Sequence, residues 1–396
     1  LWPQTHKEPA GTVNYAWTGT TWAPSGTWPR GEGGEGKIRK RGGELFLGTM
    51  KCERYCQTRI FEEIDEPANP RKIKLLNPDE YDRIIVSYSG GKDSLACILN
   101  LLDMGVPREK MVLWHQRVDG GPNDPPFIDW PATEEYVVAT AGALELDLEF
   151  QWRAGGYLKE LLKENSLKGP VCYTREKETW LLPTTKGKKL SRRRFPAKSN
   201  SLKIRWCTGV LKIDVFRRVL NNHPDYKEGK FLVITGERRQ ESVARSKYLR
   251  AEVHPCSNKK RRVDWARAVI EWPEEEVWEI IEKYKVCPHP AYLLGWGRTS
   301  CFGCIYSTPD LWAMMREIAP DRFFKLCEME RELNFTIDHE RTLSDLADMG
   351  MSTIPKNQET SKMVGMALRG GITPENFFVK DWELPAGAFR NQGGPP

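Results

Sequence analysis

The run Arg83-Ile84-Ile85-Val86-Ser87-Tyr88-Ser89-Gly90-Gly91-Lys92-Asp93-Ser94 decides the fold of this chain. Its first residues, Arg83 to Ser87, are centred on a short β-branched apolar stretch of the kind that forms a buried strand. Leu95, Ile98, Leu99 and Leu102 follow at i, i+3, i+4 and i+7, one helical face, and Gly105 closes that helix. Between strand and helix, two glycines let the backbone turn tightly and approach a ligand without a Cβ in the way. Successive N–H groups and a helix N-terminus then make a positive concavity suited to phosphate. Ser89 and Ser94 add hydroxyl donors, Lys92 a full charge, and Asp93 a carboxylate to orient the turn or help hold Mg²⁺. The bland alternative is an ordinary Gly-Gly helix cap, which the strand, turn and helix context disfavours. The spacing is neither the Walker sequence nor the dinucleotide fingerprint.

Outward from this stretch, strands and helices alternate. Met111 to Trp114, Leu146 to Phe150 and Phe231 to Thr235 read as strands, with a helix around Glu134 to Ala143. That order predicts right-handed crossovers and a parallel, Rossmann-like α/β sheet with helices on both faces. Beyond residue 265 the pattern turns helical. Pro273 with Glu274, Glu275 and Glu276 makes a good first turn, and Val277, Ile280, Ile281 and Tyr284 line one face. The expected organisation is therefore a lead-in over 50–79, a nucleotide-binding domain over 80–265, a helical cysteine-containing region over 266–330 and a C-terminal extension over 331–396. Residues 1–49 stand apart, carrying Trp2, Trp17, Trp22 and Trp28 among Gly, Pro and Thr with no clear period. One reading takes Met50 as the natural start, and the other takes the segment as a genuine irregular extension.

The composition suits a globular protein, with 39% hydrophobic and 29% charged among 396 residues. No apolar run approaches the roughly 18–20 residues that span a bilayer. No apolar region follows a basic start, so the expected location is the cytoplasm. The net charge of +6 is mild but clustered, in Lys186 to Lys198 and in Lys259 to Arg262. Such runs meet phosphates of nucleic acid or nucleotide, or are simply solvated loops. Gly236-Glu237-Arg238-Arg239 follows the strand Phe231 to Thr235 directly. Arginines there can clamp phosphate oxygens in a bidentate manner, and Glu241 can position an arginine or a metal ion. Ten cysteines without an export signal argue for metal, cluster or redox use of a subset rather than a disulfide framework.

Several elements, in order across roughly residues 80–330, resemble the PP-loop, or N-type, ATP pyrophosphatases. Ser89 to Ser94 match SGGKDS, Asp119 lies after the second strand, and Asp129 to Thr133 resembles the "fPET" segment. Arg205-Trp206-Cys207-Thr208 with Leu211-Lys212 resembles "CT…LK". Gly236 to Ser242 with Arg245 resembles "G-R-x-x-E-S…R". Pro290, Tyr292, Gly295, Arg298, Cys301 and Cys304 resemble "NPxYxxGxxRxGCxxC", with His289 for Asn and Ser300 for Gly. Together these are similar to the phosphoadenosine phosphosulfate reductase-like branch. The resemblance implies an adenine nucleotide α-hydrolase-like fold, a five-stranded, mostly parallel sheet with nucleotide over the strand carboxyl ends. It implies ATP with Mg²⁺, and a nucleotide site at Ser89, Gly90, Gly91, Lys92, Asp93, Ser94, Asp119, Gly236, Arg238, Arg239 and Glu241. Lys92, Asp93 and Arg238 are expected to be catalytic.

Cys301 and Cys304 form a CxxC, with Cys287 fourteen positions before and Cys207 in the "CT" element. Four thiolates complete a set for a [4Fe-4S] cluster, with structural zinc second and a simple thiol pair third. Cys256 is a substitute ligand, and Cys97 and Cys327 read as packing residues.

The resemblance implies cleavage of ATP to AMP and pyrophosphate, adenylylating a substrate in sulfur transfer to DNA or RNA. The implied partners are ATP, nucleic acid and a sulfur donor such as a cysteine desulfurase, with no membrane. A phosphosulfate reductase, an ATP sulfurylase small subunit and a non-catalytic nucleotide-binding module are the alternatives.

Overall fold

The computed structural model describes residues 15–17, 22–24, 60–61, 72–299 and 301–390. The question of Met50 lies outside them, as do Cys52 and Cys56. Tyr15–Trp17 and Trp22–Pro24 form a short antiparallel pair.

The glycine turn sits where the sequence places it, between β1 (Arg83–Ser87) and α1 (Lys92–Asp103). The chain continues through β2 (Met111–Arg117), α2 (Thr133–Leu144), β3 (Asp147–Arg153) and α3 (Gly156–Leu161). A hairpin of β4 (Val171–Arg175) and β5 (Glu178–Leu182) follows. Next come a short helical turn Trp206–Thr208, a π turn Gly209–Ile213 and α4 (Asp214–Asn222), in unbroken sequence. Then come β6 (Gly229–Thr235), β7 (Ala251–Val253) and β8 (Arg261–Arg267). The remainder is helical: α5 (Glu274–Lys283), α6 (Pro290–Leu293), α7 (Pro309–Ile318), α8 (Pro320–Leu333), α9 (Leu343–Met349) and α10 (Thr360–Arg369).

The sheet has eight strands in the order β5-β4-β3-β2-β1-β6-β8-β7. Its centre, β3-β2-β1-β6-β8, is parallel, while β4, β5 and β7 run antiparallel at the edges. The expected five-stranded sheet is thus the parallel centre, widened by a hairpin and a short edge strand. No long apolar run marks these edge strands or the central β8, which is why the sequence reading passed over them.

Side chains alternate across each central strand, so its two faces enter two cores. Ile84 and Val86 join Leu113, Leu232 and Ile234 beneath α1, α2 and α5. Ile85 faces the other way, with Val112, Val233 and Val263 beneath Val215, Val219 and Leu220 of α4. Full burial of each such side chain stabilises the fold by about 1.5–3 kcal/mol. A third core, around Trp130, Trp206, Trp296, Phe302 and Phe323, joins the Asp119–Trp130 loop to α7 and α8. None of the helices among the described residues is long and apolar enough to cross a membrane.

One basic run turns out to be structural. Arg261 is 3% exposed and donates to the carbonyls of Leu220, Tyr226 and Cys256, tying β8 to the end of α4. Arg262 bonds Asp264 at 2.9 Å. Lys259, Lys260 and Arg262 of that run are exposed.

Candidate functional site

In chain order the strands grow from β1 to one side through β2 and β3, and to the other through β6 and β8. The sheet's switch point therefore lies between β1 and β6, and open α/β sheets bind ligands above the carboxyl ends there. Two segments emerge at this point: Tyr88 to Gly91 after β1, and Gly236 to Glu241 after β6.

The first segment turns at Gly90, whose φ of +80° belongs to the left-handed region that glycine enters without penalty. The Ser89 amide donates to Ser94 Oγ at 3.3 Å, and the Gly91 amide to Ser89 Oγ at 3.4 Å. The Lys92 amide donates to Tyr292 Oη at 3.0 Å, and the same oxygen accepts from the Thr299 amide at 3.2 Å. Hydroxyl oxygens of the protein thus occupy the amide concavity. The two longer bonds are weak, and a charged phosphate oxygen is a stronger acceptor than a hydroxyl.

Around the turn lies a nearly buried charge cluster. Lys92 is 5% exposed, with Nζ 3.3 Å from Asp93 Oδ2 and 3.7 Å from Glu274 Oε1. Arg238 is 3% exposed and donates from Nε to Asp93 Oδ1 at 2.6 Å. Burial works against each of the three charges, but their mutual attraction outweighs it. The Asp93 carboxyl is held below its ordinary range by Lys92 and Arg238, while Lys92 and Arg238 are held above theirs. All three are therefore ionised at neutral pH.

These groups line a cavity of about 680 Å³, together with Ser89, Gly91, Ser94, Lys212, Gly236 and Glu241. A second cavity of about 770 Å³ adjoins it, sharing Ser87, Ser89, Lys212, Thr235 and Glu237. The second is more apolar, with Phe216, Val233 and Trp265 in its walls, and it reaches His115 and Gln116 at the end of β2. Lys212 stands at the seam, delivered there by the π turn, a distortion often found at functional sites. Burial would lower its pKa, but Cys301, Asp129 and Cys207 nearby raise it, so it stays charged.

Three sequence-predicted residues fall elsewhere. Asp119 is not in either cavity wall; its carboxylate accepts from the amides of Phe127, Ile128 and Asp129 at 2.8–3.1 Å and so shapes that loop. Arg239 turns out of the cleft to Glu271 at 2.8 Å and to the carbonyls of Ser246 and Tyr248. Cys287 is buried in the core under α1 and α2, with its amide bonded to Phe377, whereas Cys207 and Cys301 pack against the third core.

The four-thiolate set is therefore not assembled. Cys207, Cys301 and Cys304 do influence one another electrostatically, and burial pushes the Cys301 and Cys207 thiols up. Yet among the described residues no group of three His, Cys, Asp or Glu side chains is arranged to hold a metal ion. Cys256 is likewise packed in the core under α4. His289 caps α6, accepting from the Ala291 amide at 3.2 Å, and burial lowers its pKa to about 3.

Sequence reasoning missed Glu274, which it read only as complementing a helix dipole, and Phe389 and Arg390, which line the first cavity from the far end of the chain. It also gave no role to Asp129, a wall of the second cavity whose pKa is raised to about 6 by burial and by Asp119. Its position beside Asp119 in the "fPET"-like segment was the available signal.

A parallel sheet with a glycine-turned loop facing an arginine across its switch point is an arrangement suited to holding the phosphates of a nucleotide. Residues 175–308 match the phosphoadenosine phosphosulfate reductase domain. The matched stretch holds Lys212, Gly236, Arg238 and Cys301, while the phosphate loop lies upstream of it. An uncharacterized 37.8 kDa protein in the gpa 5′ region of Escherichia phage 186 is 25% identical over 261 residues, 62% of this chain and 74% of that one. Among solved structures, the Candida glabrata FMN adenylyltransferase with FMN and an ATP analogue aligns at a TM-score of 0.33. That alignment has 13% identity and covers 79% of this chain and 82% of that one. In another crystal structure of the same enzyme the TM-score is 0.32 with 12% identity, covering 59% of this chain and 56% of that one.

Proposed function

We propose that this chain is an ATP pyrophosphatase that transfers the adenylyl group of ATP to an acceptor. The observation that supports this most is the meeting of Ser89, Lys92, Ser94, Lys212 and Arg238 around one cavity at the switch point. The β- and γ-phosphates lie on the Ser89–Ser94 turn, and the nucleoside enters the adjoining, more apolar cavity. This puts the α-phosphate at the seam, between Lys212 and Arg238. An acceptor oxygen or sulfur forms a bond to the α-phosphorus, the bond to the bridging oxygen breaks, and pyrophosphate leaves with that electron pair. Mg²⁺ bound to the polyphosphate substrate would neutralise part of its charge. Cations fixed before the reaction stabilise charge on the leaving group without reorganising.

The Cys301 thiol in the second cavity's wall supports sulfur transfer as the use of the activated acceptor, with a sulfur donor such as a cysteine desulfurase. The exposed Lys186, Lys188 and Lys189 support a polyanionic acceptor such as a nucleic acid. The deciding experiment incubates the protein with ATP and Mg²⁺ and candidate acceptors and measures AMP and pyrophosphate. Formation of ADP and phosphate instead, or tight ATP binding with no turnover in any acceptor pool, would overturn the reading.

Two expected results follow from the geometry. A Cβ on Gly236 would stand 2.9 Å from the Asp93 carbonyl and the Ser94 amide. Gly236→Ala therefore pushes the β6 segment away from the phosphate turn and weakens ATP binding about tenfold or more by titration calorimetry. Asp129 accepts from the Trp130 amide through one oxygen at 2.9 Å, and it lines the second cavity. With a pKa of about 6, it becomes a competent base for the acceptor's proton as pH rises through that value. Turnover should rise across this range in the wild type, and Asp129→Asn should flatten the limb; an unchanged pH profile would remove Asp129 from the reaction.

A further inference from the structure

We infer that the C-terminal strap Gly387–Arg390 is the outer wall of the pyrophosphate subsite, with Phe389 and Arg390 as its ligand-facing residues; this rests on the function proposed above. The strap is more than one hundred and fifty residues downstream of Arg238, yet Phe389 and Arg390 line the same cavity as Lys92 and Arg238. It is built against the site at several points. The Gly387 amide donates to the Tyr292 carbonyl at 2.8 Å, and Tyr292 is the residue whose hydroxyl accepts from the Lys92 amide. A Cβ on Gly387 would strike the Trp296 carbonyl, and one on Gly297 would strike the Arg390 carbonyl, so both glycines admit a close backbone approach. The Phe389 amide donates to Glu274 Oε1 at 3.2 Å, the carboxylate oxygen that also faces Lys92 Nζ at 3.7 Å.

Phe389 itself is the odd residue. It is 48% exposed, and its φ of +58° is a conformation that a bulky side chain rarely adopts. Strain of this kind is held in place by its surroundings and concentrates at ligand-binding positions. Here the Glu274 bond on one side and Arg390 on the other hold it. Arg390 donates to Thr353 Oγ1 and pairs with no carboxylate among the described residues. By contrast, Lys92, Arg238 and Arg245 in the same cavity each have a carboxylate partner. A cation without a carboxylate partner among the described residues, lining the same cavity as the Ser89–Ser94 turn, favours a small dense anion there.

The test is titration of the full chain with inorganic pyrophosphate plus Mg²⁺, and in parallel with AMP. Arg390→Ala should weaken pyrophosphate about tenfold, in line with loss of one charge-assisted contact, and Phe389→Ala should weaken it by a smaller factor. AMP binding should be unchanged, and Arg390→Lys should restore most of the pyrophosphate affinity. Equal weakening of both ligands would mean the strap merely supports the fold, and unchanged pyrophosphate binding would mean it is not part of the subsite; either overturns the inference. A wild-type chain that binds AMP but no pyrophosphate, or neither, would instead overturn the proposed function.

Discussion

Lys92→Ala should cut acceptor-dependent pyrophosphate release by on the order of 10²–10³-fold, the range found when one preorganised charge donor is removed from a site of developing negative charge. The fold should survive this change. Asp93 keeps its 2.6 Å bond to Arg238, so no buried carboxylate is stranded, and Glu274 keeps its contacts with Arg238 and the Phe389 amide. The expected signature is a large loss of turnover with a small change in thermal midpoint. Steady-state release of pyrophosphate, read beside a melting curve on the same sample, separates the two. A variant that turned over within about threefold of wild type would show that this ammonium does not act on the leaving group.

Asp93→Ala should act on the other axis. It removes the carboxylate shared by Lys92 and Arg238, which are 5% and 3% exposed, and leaves two nearly buried cations facing each other with only Glu274 between them. Stranding buried charge in this way costs about 3–5 kcal/mol, and the remaining carboxylate places this case near the lower end. The effect carries a pH dependence of known sign. The Asp93 pKa is depressed in the folded chain, so its stabilisation is complete above the unfolded value of about 3.9 and disappears as pH falls through the folded value. Urea unfolding of wild type and variant should therefore differ most near neutrality and converge in acid. A gap that stayed constant down to pH 2 would mean that Asp93 contributes by packing rather than by charge.

The central fold was legible because it depends on local periodicity. An apolar run in β1, a four-residue helical face in α1 and a glycine turn between them are encoded in about twenty consecutive residues. The edge strands and β8 were not legible, since β4, β5, β7 and β8 depend on what they pair with rather than on their own pattern. The charged runs show the same limit. Lys259 to Arg262 reads as a basic patch, but Arg261 is enclosed by carbonyls of α4 and the loop after it.

The site divides in the same manner. Ser89 to Ser94, Gly236 and Arg238 could be named from sequence, because a glycine turn and the residues directly after a strand are contiguous features. Whether Arg239 or Arg238 enters the cleft was a matter of which side chain faces Asp93, and the structure selects Arg238. Asp119 bears the right charge after the right strand, yet three loop amides claim it. Cys287 has suitable spacing from Cys301 but belongs to a different core. By itself, then, the sequence determined the class of fold, the glycine turn and the strand ends that flank it, since each is a property of neighbouring residues. Only the tertiary structure decided which charges meet. Glu274, Tyr292 and Phe389 come to Lys92 from separations of roughly two to three hundred residues, and such contacts depend on how helices and loops close over the sheet rather than on any local pattern.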